Sequence, residues 1–492
     1  MALPSTLRLM FLPIMNVLGP IIIGFSFSML IPLAISLWKE DGAHTGFELT
    51  FCITFATGFF MWLLTRRFKR ELIPRDGFLL VTLAWVSLAL FASIPLYIEI
   101  PHIPYLHALF EATSGITTTC ATILSGLDKL PYSINFWRCM LSWMGGIGIL
   151  VMAVAVLPLL GVGGAQIFRA ETSGPIKEGK LTPRIADTAK AFYTIYLALS
   201  VACAVSYHLA GMNWRDAVVH MFTTVSLGGF SSHDASFAYW SSRAVNYVAV
   251  FFCVISGVNF TMHFLAWRKK SLLSYLMDIE TRWWFGVALL FPLLVMVLLM
   301  VRGVYSSPFD AFYYAVTNTM FVLSTCGFAN TNFGEWPLTI QILILLGSCF
   351  ATCAGSTGGG LKMIRFIALV KQGGLEFKKI IHPRMVRPLL IGSRVVQSEV
   401  IFSVLAFLMI YIAVAVFGTF FFLFTGLDGL TAFSTAVSCL NNLGPALGAL
   451  GPAYNYSSLS PIQVSFCCAL MVMGRLELLT VLVLFTRSFW RY

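Results

Sequence analysis

The chain has 492 residues, of which 58% are hydrophobic and only 11% are charged, and its mean hydropathy is +0.84. This composition excludes a water-soluble protein with a single core and predicts a polytopic membrane protein. The net charge of +11 would suit nucleic-acid binding, but the positions of the basic residues favour another interpretation.

Apolar stretches long enough to cross a bilayer, which takes roughly 20 residues of helix, recur from end to end. The clear ones cover residues 9–38, 78–98, 139–168, 191–214, 244–267, 283–301, 336–361 and 400–427. A shorter candidate lies at 49–65, and the apolar region 429–474 is too long for one span. The first stretch is too long for a removable signal peptide and contains several prolines, so it is predicted to be a retained helix.

Lysine and arginine concentrate in alternate segments between these stretches. If the spans alternate and the N-terminus lies inside, the basic segments 66–75, 169–190, 268–282 and 362–394 all fall on the cytoplasmic side. Because cytoplasmic loops of membrane proteins carry an excess of basic residues, this pattern predicts the orientation of the chain. The positive charge therefore indicates a membrane topology, and no nucleic-acid partner is predicted.

Four related segments follow spanning stretches. They are HALFEATSGITTTCAT from His107, DAVVHMFTTVSLGGFSS from Asp216, DAFYYAVTNTMFVLSTCGFAN from Asp310 and DGLTAFSTAVSCLNNLGPA from Asp428. Because Asp is a strong helix N-cap, short helices are predicted to begin at the three aspartates, with His107 a weaker variant. Each segment ends in a cluster of small or polar residues.

The clusters align, and each precedes another spanning stretch with an interruption, in the motifs WMGGIGIL, ISGVNFTM, CAGSTGGGLKM and MGRLELL. Irregular backbone is too costly in lipid unless it faces protein or water, so the four loops are predicted to face one another around an axis. Carbonyl rings replace the hydration shell of a monovalent cation, and the C-terminal ends of the short helices add attraction for it. The predicted ion filter consists of Thr118, Thr119, Cys120, Leu227, Gly228, Gly229, Thr325, Cys326, Gly327, Asn442, Leu443 and Gly444.

The loop motifs TSGITTTCAT, SLGGFS, STCGFAN and NNLGP, with GGIG, GVNF, AGSTGGG and GRLEL on the helices that follow, resemble the Trk/Ktr/HKT superfamily of potassium transporters, specifically its bacterial TrkH type. The resemblance covers the whole chain. It implies an all-α polytopic membrane protein with two leading helices and then four M1-P-M2 potassium-channel-like repeats (outer helix, pore helix, inner helix) around a central pore.

The resemblance further implies potassium uptake, with potassium as the transported ion, across the inner membrane of a bacterium. The predicted segments are a leading helix pair at 1–75 and repeats at 76–186, 187–281, 282–394 and 395–492. A homodimer in membrane lipid and a cytosolic TrkA-like nucleotide-binding regulatory subunit are also implied. The basic segment 362–394 is the predicted docking face for that subunit.

One filter position departs from the family pattern. The family usually has glycine at the innermost position of all four filters, and this chain has Cys120 in the first but glycine in the other three. In plant relatives a serine at the first-repeat position accompanies sodium permeation. Mixed potassium and sodium conduction therefore stays open as an alternative.

The motif AGSTGGG would break the inner helix of the third repeat, because each glycine costs up to about 1 kcal/mol of helix stability. In the family such a loop lies below the filter and obstructs conduction in the closed state, and an arginine lies in the pore beneath the filter. The matching gate residues are Gly355, Ser356, Thr357, Gly358, Gly359, Gly360 and Arg475.

Structural alternatives to these roles stay open. The glycine-rich loop could serve close helix packing or form a phosphate-binding nest. Arg475 could form a buried ion pair with Glu477, although the spacing aligns the two poorly. Asn259 is a candidate pore-lining residue and an equally good candidate for a hydrogen bond between helices.

Other functional classes fit the sequence less well. The histidines and carboxylates show no catalytic or metal-binding spacing, so no enzymatic activity is predicted. Cys349 and Cys353 could form a metal site, but no His or carboxylate accompanies them and packing is favoured. A secondary transporter with inverted repeats is disfavoured because all four loops enter from one predicted side, whereas coupling to protons or sodium stays an alternative.

Overall fold

The computed structural model describes residues 5–70, 72–155, 181–392 and 394–491. In these residues the fold is almost entirely helical. Six of the described helices are long and apolar enough to cross a bilayer, and two sharply bent helix pairs would bring the number to eight. The prediction of a polytopic helical membrane protein is confirmed.

Two leading spans precede the repeats. The first is formed by α1 (Ser5–Ser28) and α2 (Leu30–Lys39), and the second by α3 (His44–Thr65). The shorter candidate at 49–65 is therefore a full-length helix. It packs tightly on α1, because a Cβ on Gly19 would lie only 2.9 Å from the carbonyl oxygen of Gly58.

Four groups of helices then share one order: a long helix, a short helix, a loop and a second long helix. We number these groups repeats 1 to 4. Repeat 1 contains α4 (Pro74–Glu99), α5 (Tyr105–Ile116) and α6 (Tyr132–Ala155). Repeat 2 contains α7 (Leu181–Leu209), α8 (Trp214–Val225), α9 (Arg243–Ser256), α10 (Phe260–Lys269) and α11 (Leu273–Met277).

Repeat 3 contains α12 (Ile279–Val301), α13 (Pro308–Leu323), α14 (Leu338–Ser348) and α15 (Met363–Ile381). Repeat 4 contains α16 (Ser398–Phe424), α17 (Gly429–Asn441), α18 (Pro461–Arg475), α19 (Leu479–Leu482) and α20 (Arg487–Trp490). Single 3₁₀ turns follow the short helices, at Leu127–Lys129, Ser236–Tyr239, Phe333–Glu335, Gly448–Leu450 and Tyr456–Ser458, and one more at Val483–Phe485 follows α19.

The short helices begin slightly earlier than predicted. Asn213 caps α8, and its side chain accepts a hydrogen bond from the backbone N–H of Asp216. Helix α13 starts after Ser307, so Asp310 lies in its first turn. Only Asp428 is an N-cap as predicted. The other two carboxylates lie where the helix dipole favours negative charge, which is why they looked like caps in the sequence.

The second long helices of repeats 2, 3 and 4 are interrupted. The interruptions predicted at ISGVNFTM and CAGSTGGGLKM are confirmed, because α9 and α10 meet at 90° within the span 244–267 and the helix in the span 336–361 ends at Ser348. In repeat 4, α18 and the turn beginning at Leu479 meet at 110°. In repeat 1, α6 is continuous to Ala155, and the rest of the predicted span 139–168 lies outside the described residues.

One feature departs from an all-helical chain. Leu389–Ile391 (β1) and Arg394–Val396 (β2) form an antiparallel pair in which Leu389 lies opposite Val396. Gly392 adopts a φ of +62° in the turn between them. This pair was not predicted, although its sequence LLIGSRVV carries a hairpin signal, two short apolar runs separated by a Gly-Ser turn.

Candidate ion-conduction site

The four loops after the short helices share an unusual backbone. The four-residue clusters that align are 117–120, 226–229, 324–327 and 441–444. In each cluster the second residue and the fourth residue have a positive φ. The second residues are Thr118 at +52°, Leu227 at +54°, Thr325 at +56° and Asn442 at +53°, and the fourth are Cys120 at +56°, Gly229 at +74°, Gly327 at +83° and Gly444 at +101°. Residues other than glycine rarely adopt a positive φ. Its recurrence at matching positions of the four loops therefore indicates that one loop structure is repeated four times.

The amides of each loop are bonded to the short helix that precedes it. Thr119 N–H donates to the Ser114 carbonyl at 2.9 Å, and Leu443 N–H donates to the Ser438 carbonyl at 3.0 Å. The corresponding bonds in repeats 2 and 3 are Gly228 to Thr223 at 2.7 Å and Cys326 to Phe321 at 3.0 Å. In a trans peptide the C=O opposes the N–H, so the carbonyl oxygens of the second cluster residues point away from the helices.

The loops contact one another in a ring. A Cβ on Gly229 would lie 1.7 Å from the carbonyl oxygen of Cys326, and one on Gly327 would lie 2.2 Å from that of Leu443. A Cβ on Gly444 would lie 2.6 Å from the carbonyl oxygen of Thr119. Glycine is therefore required at three of the fourth cluster positions because the backbone of the neighbouring loop occupies the space.

Cys120 escapes this restriction. Its Sγ lies 3.2 Å from the Oγ of Ser142, on the inner helix of its own repeat. The neighbouring Gly228 leaves room there, because a Cβ on Gly228 would lie 2.8 Å from the Cβ of Ser142. Cysteine is thus accommodated in repeat 1 because Gly228 of repeat 2 has no side chain at this place.

The fourth cluster positions line a cavity of about 340 Å³, together with the segments that follow the loops. The expectation that these positions lie innermost is not met. Asn442, a second cluster position, instead lines a smaller cavity on the other side of the ring. The ring therefore separates two cavities.

The smaller cavity measures about 50 Å³, and it adjoins the loop between Ser348 and Met363. We name residues 349–362 the crossing loop. Thr357 Oγ1 donates to the Val225 carbonyl at 3.1 Å, and Gly359 N–H donates to Thr325 Oγ1 at 2.8 Å. The loop thus lies directly against the ring, and Gly355, Ser356, Gly358, Gly359 and Gly360 line the small cavity.

Arg475 joins the crossing loop to the inner helix of repeat 1. Its Nη1 donates to the Thr357 carbonyl at 2.9 Å and its Nη2 donates to the Gly145 carbonyl at 3.2 Å, and the residue is 3% exposed. The alternative pairing with Glu477 does not occur, because Glu477 pairs with Arg365. The sequence could not reveal that partner, which lies more than a hundred residues away.

Asn259 does not line either cavity. Its side chain accepts a hydrogen bond from the backbone N–H of Thr261 at 2.8 Å and caps α10 after the bend. The same bend is tied to the crossing loop, because Phe260 N–H donates to the Gly355 carbonyl and Cys353 N–H donates to the Gly257 carbonyl, both at 3.0 Å. Asn259 therefore shapes the inner helix of repeat 2.

Within the described ranges, no group of three or more His, Cys, Asp or Glu side chains is arranged to hold a metal ion. Cys349 is buried and accepts a hydrogen bond from the Asn441 side chain at 3.0 Å. The ring instead presents backbone oxygen and hydroxyl groups, the ligands suited to a weakly held monovalent cation.

Comparisons with known proteins agree on one family. The sequence profile named TrkH, described as a cation transport protein, matches residues 43–492. The Trk system potassium uptake protein TrkH of Vibrio parahaemolyticus is 43% identical over 484 residues, which cover 98% of this chain and 99% of that protein. The Escherichia coli K12 protein with the same name is 42% identical over 482 residues, covering 98% and 99%. The crystal structure of the potassium transporter TrkH from Vibrio parahaemolyticus matches with a TM-score of 0.91 and 41% identity, covering 98% of this chain and all of that one.

Proposed function

The chain belongs to the TrkH family of cation transport proteins, and on that premise we propose that it takes up potassium through the ring of four loops. The observation that carries the proposal is the fourfold recurrence of positive φ at the second and fourth cluster positions. Such a ring directs backbone oxygens toward one axis, where they replace the water around a potassium ion. The filter residues are those predicted from the sequence, at positions 118–120, 227–229, 325–327 and 442–444.

We assign the closed gate to the crossing loop and Arg475. The small cavity beneath the ring has room for only a few water molecules, so a hydrated ion has no space there. Arg475 adds a positive charge on the same side of the ring. Opening would require the loop to move away from the axis and Arg475 to release the Thr357 carbonyl.

The proposed assembly follows the resemblance stated above. We propose a homodimer in the inner membrane of a bacterium, regulated by a cytosolic TrkA-like nucleotide-binding subunit. The boundaries 1–75, 76–186, 187–281, 282–394 and 395–492 remain our proposed division of the chain. The exposed residues Arg384 and Arg387, which follow α15 and precede the β1–β2 hairpin, support docking of a partner at this segment.

A second candidate function is mixed conduction of potassium and sodium. The observation that favours it is Cys120, which places a thiol and a strained positive φ where the other three loops have glycine. A ring with one dissimilar loop can hold its oxygens at a different spacing, which would weaken discrimination between the two ions.

One experiment tests both candidates. Purified protein is placed in proteoliposomes with opposed potassium and sodium gradients, and the reversal potential is measured for the wild type and for Cys120→Gly. A wild-type reversal at the potassium equilibrium supports selective uptake, whereas an intermediate value that moves toward potassium in the variant supports mixed conduction. A reversal that follows an imposed pH gradient, or no ion current, would contradict a passive filter and favour coupled transport.

A further inference from the structure

A buried ion pair lies behind the loop of repeat 1. Glu111 on α5 and Arg138 on α6 are both fully inaccessible to solvent. Arg138 donates from Nε at 2.8 Å and from Nη2 at 2.5 Å to the same carboxylate oxygen, Oε1. In the sequence Glu111 lies within the first short-helix segment and Arg138 lies shortly before WMGGIGIL, and no spacing marks them as partners.

The carboxylate also holds the chain where it leaves the loop. Thr122 Oγ1 donates to Glu111 Oε1 at 3.0 Å, and Ile123 N–H donates to Oε2 at 3.0 Å. These two residues follow Cys120 almost directly. Glu111 therefore fixes the extended segment that leaves the repeat 1 loop to the short helix α5, and we call the corresponding segment of each repeat its exit strand.

Arg138 extends the contact into repeat 2. Its Nη1 donates to the Ser231 carbonyl at 3.3 Å, and its guanidinium carbon lies 4.5 Å from the centre of the Phe230 ring. Ser231 and Phe230 directly follow Gly229. One side chain therefore touches the exit strands of two adjacent loops and lines the larger cavity.

The other repeats have neutral groups in the same place. Counting back equally from the fourth cluster position, the residues that match Glu111 are His220, Asn318 and Thr435. His220 Nε2 lies 2.9 Å from Ser231 Oγ, and Asn318 exchanges hydrogen bonds with Asn330 at 2.6 and 3.2 Å. In repeat 4 the adjacent Ser434 Oγ accepts from Leu447 N–H at 2.9 Å. Every repeat fastens its exit strand, and among these four positions repeat 1 does so with a charge pair.

A charge pair is an expensive way to make such a connection. Two buried ions lose much more solvation free energy than a pair of neutral groups does. Repeats 2 and 3 make the same connection with neutral groups. Repeat 1 differs from them in one relevant respect: its fourth position is Cys120, whose backbone keeps a positive φ without the freedom of glycine. A short, two-pronged, charge-assisted contact opposes relaxation of that strained strand.

We propose that Glu111 and Arg138 are positioning residues that set the spacing of the repeat 1 and repeat 2 exit strands and thereby determine the preference for potassium over sodium. The proposal rests on the proposed function of the ring as a potassium filter. A ring selects the larger ion when its oxygens resist closing around the smaller one. The pair supplies that resistance at the repeat 1 loop, where cysteine interrupts the glycine pattern, and at the neighbouring loop of repeat 2.

The test measures reversal potentials in proteoliposomes under opposed potassium and sodium gradients. In Glu111→Gln and in Arg138→Gln we expect the sodium-to-potassium permeability ratio to rise by about tenfold, the effect of losing a charge-assisted hydrogen bond at one strand. Arg138→Lys keeps the charge and loses the two-pronged geometry, so it should restore the ratio in part. The matched control is Asp76→Asn, which removes another buried carboxylate paired with an arginine, at the start of α4.

Single variants leave a buried charge without its partner and can fail to fold. The double variant Glu111→Gln/Arg138→Gln removes both charges, and its folding is checked by its elution as a single species and by its Tm. A raised sodium permeability in the double variant supports the proposal. A native ratio in that variant, or an equal rise in Asp76→Asn, overturns it while leaving the filter assignment intact. A wild-type protein that carries no potassium current would instead overturn the proposed function.

Discussion

The filter loops and the crossing loop are both irregular backbone inside the helical bundle, but different bonds hold them. Each filter loop is fastened mainly to the short helix of its own repeat, as Thr119 is to Ser114. The crossing loop occurs once, and besides its bond to Thr325 in its own repeat it is fastened to repeat 2 through the Val225 carbonyl and to repeat 4 through Arg475. Local bonds keep their geometry when helices move relative to one another, and bonds between repeats do not. This difference supports our proposal that the ring stays in place while the crossing loop is released.

The largest effect is expected from breaking the ring. In Gly327→Ala the new Cβ would lie 2.2 Å from the Leu443 carbonyl oxygen, at a φ of +83°. Strain of about 1–3 kcal/mol at such a φ adds to the clash, so potassium flux should fall by at least about tenfold. Flux is measured in proteoliposomes loaded with equal amounts of protein.

The matched control for this variant is Gly286→Ala, where an added Cβ meets nothing within 4 Å. It should leave flux unchanged or slightly improve stability, because alanine favours helix. Native flux and selectivity in Gly327→Ala would contradict the filter assignment.

An increase in potassium flux is expected when the contacts of the crossing loop are broken. Arg475→Ala removes two hydrogen bonds and a buried positive charge beneath the ring. Hydrogen bonds to charged groups contribute about 1.5–3 kcal/mol each. The potassium flux of the closed state should therefore be at least about tenfold higher in the variant than in the wild type. The leak is measured without any regulatory subunit, and Arg475→Lys, which keeps the charge, should leak less. Normal closed-state flux in the alanine variant would leave Arg475 with a structural role only.

A smaller gain of flux is expected at Thr357. Its hydroxyl donates to the Val225 carbonyl at 3.1 Å, and Thr357→Val removes this bond at nearly constant volume. A net contribution of about 0.5–1.5 kcal/mol corresponds to a leak that rises roughly two- to tenfold. Thr419→Val is the control, because the Thr419 hydroxyl donates to the Ala415 carbonyl of its own helix. Equal leaks in the two variants would refute the assignment of Thr357 to the gate.

The sequence predicted the repeated parts better than the unique ones. A filter loop is specified locally, by a short amphipathic helix and a cluster of small residues, so four copies reinforce one another in the sequence. The crossing loop was recognised from its glycines, but its partners were not. Arg365 and Glu477, for example, meet only after folding. Arg138 and Glu111 likewise meet only in the folded chain, because a single sequence does not show which charges have buried partners.

The motifs predicted where the second long helices of repeats 2, 3 and 4 break, but not the angle of each break or the bonds that hold it. Residues 244–267 are continuous in hydropathy, and the 90° bend is held by backbone bonds between Gly257 and the crossing loop. Hydropathy reports whether a segment can lie in lipid and not whether its backbone bonds to another segment. For the same reason Asn259, which caps the helix after the bend, resembled a pore-lining residue.

The smallest predicted effect concerns the outer rim of the ring. His233 contacts Asp128 through Nδ1 and lies 3.4 Å from Asp216 through Nε2, with the ring of Tyr239 stacked on it at 3.6 Å. Burial lowers the pKa of His233, but the hydrogen bonds and charges of the two carboxylates outweigh it and raise the pKa above 6.5. The neutral His220 ring stands 6.3 Å away, and Asp234 donates its N–H to Asp128.

A raised histidine pKa means that the charged form stabilises the folded protein. The contribution is complete below pH 6.5 and is lost as the pH rises through the pKa of the folded state. Wild-type Tm should therefore fall by roughly 1–3 °C between pH 6 and pH 9 relative to His233→Gln, which cannot titrate. Because His233 joins loops of repeats 1 and 2 on the ring side, the leak of Arg475→Ala should depend on pH in the same way with His233 and with His233→Gln. A pH dependence of that leak that His233→Gln abolishes would couple the rim to the crossing loop and break the proposed separation between a fixed ring and a releasable gate.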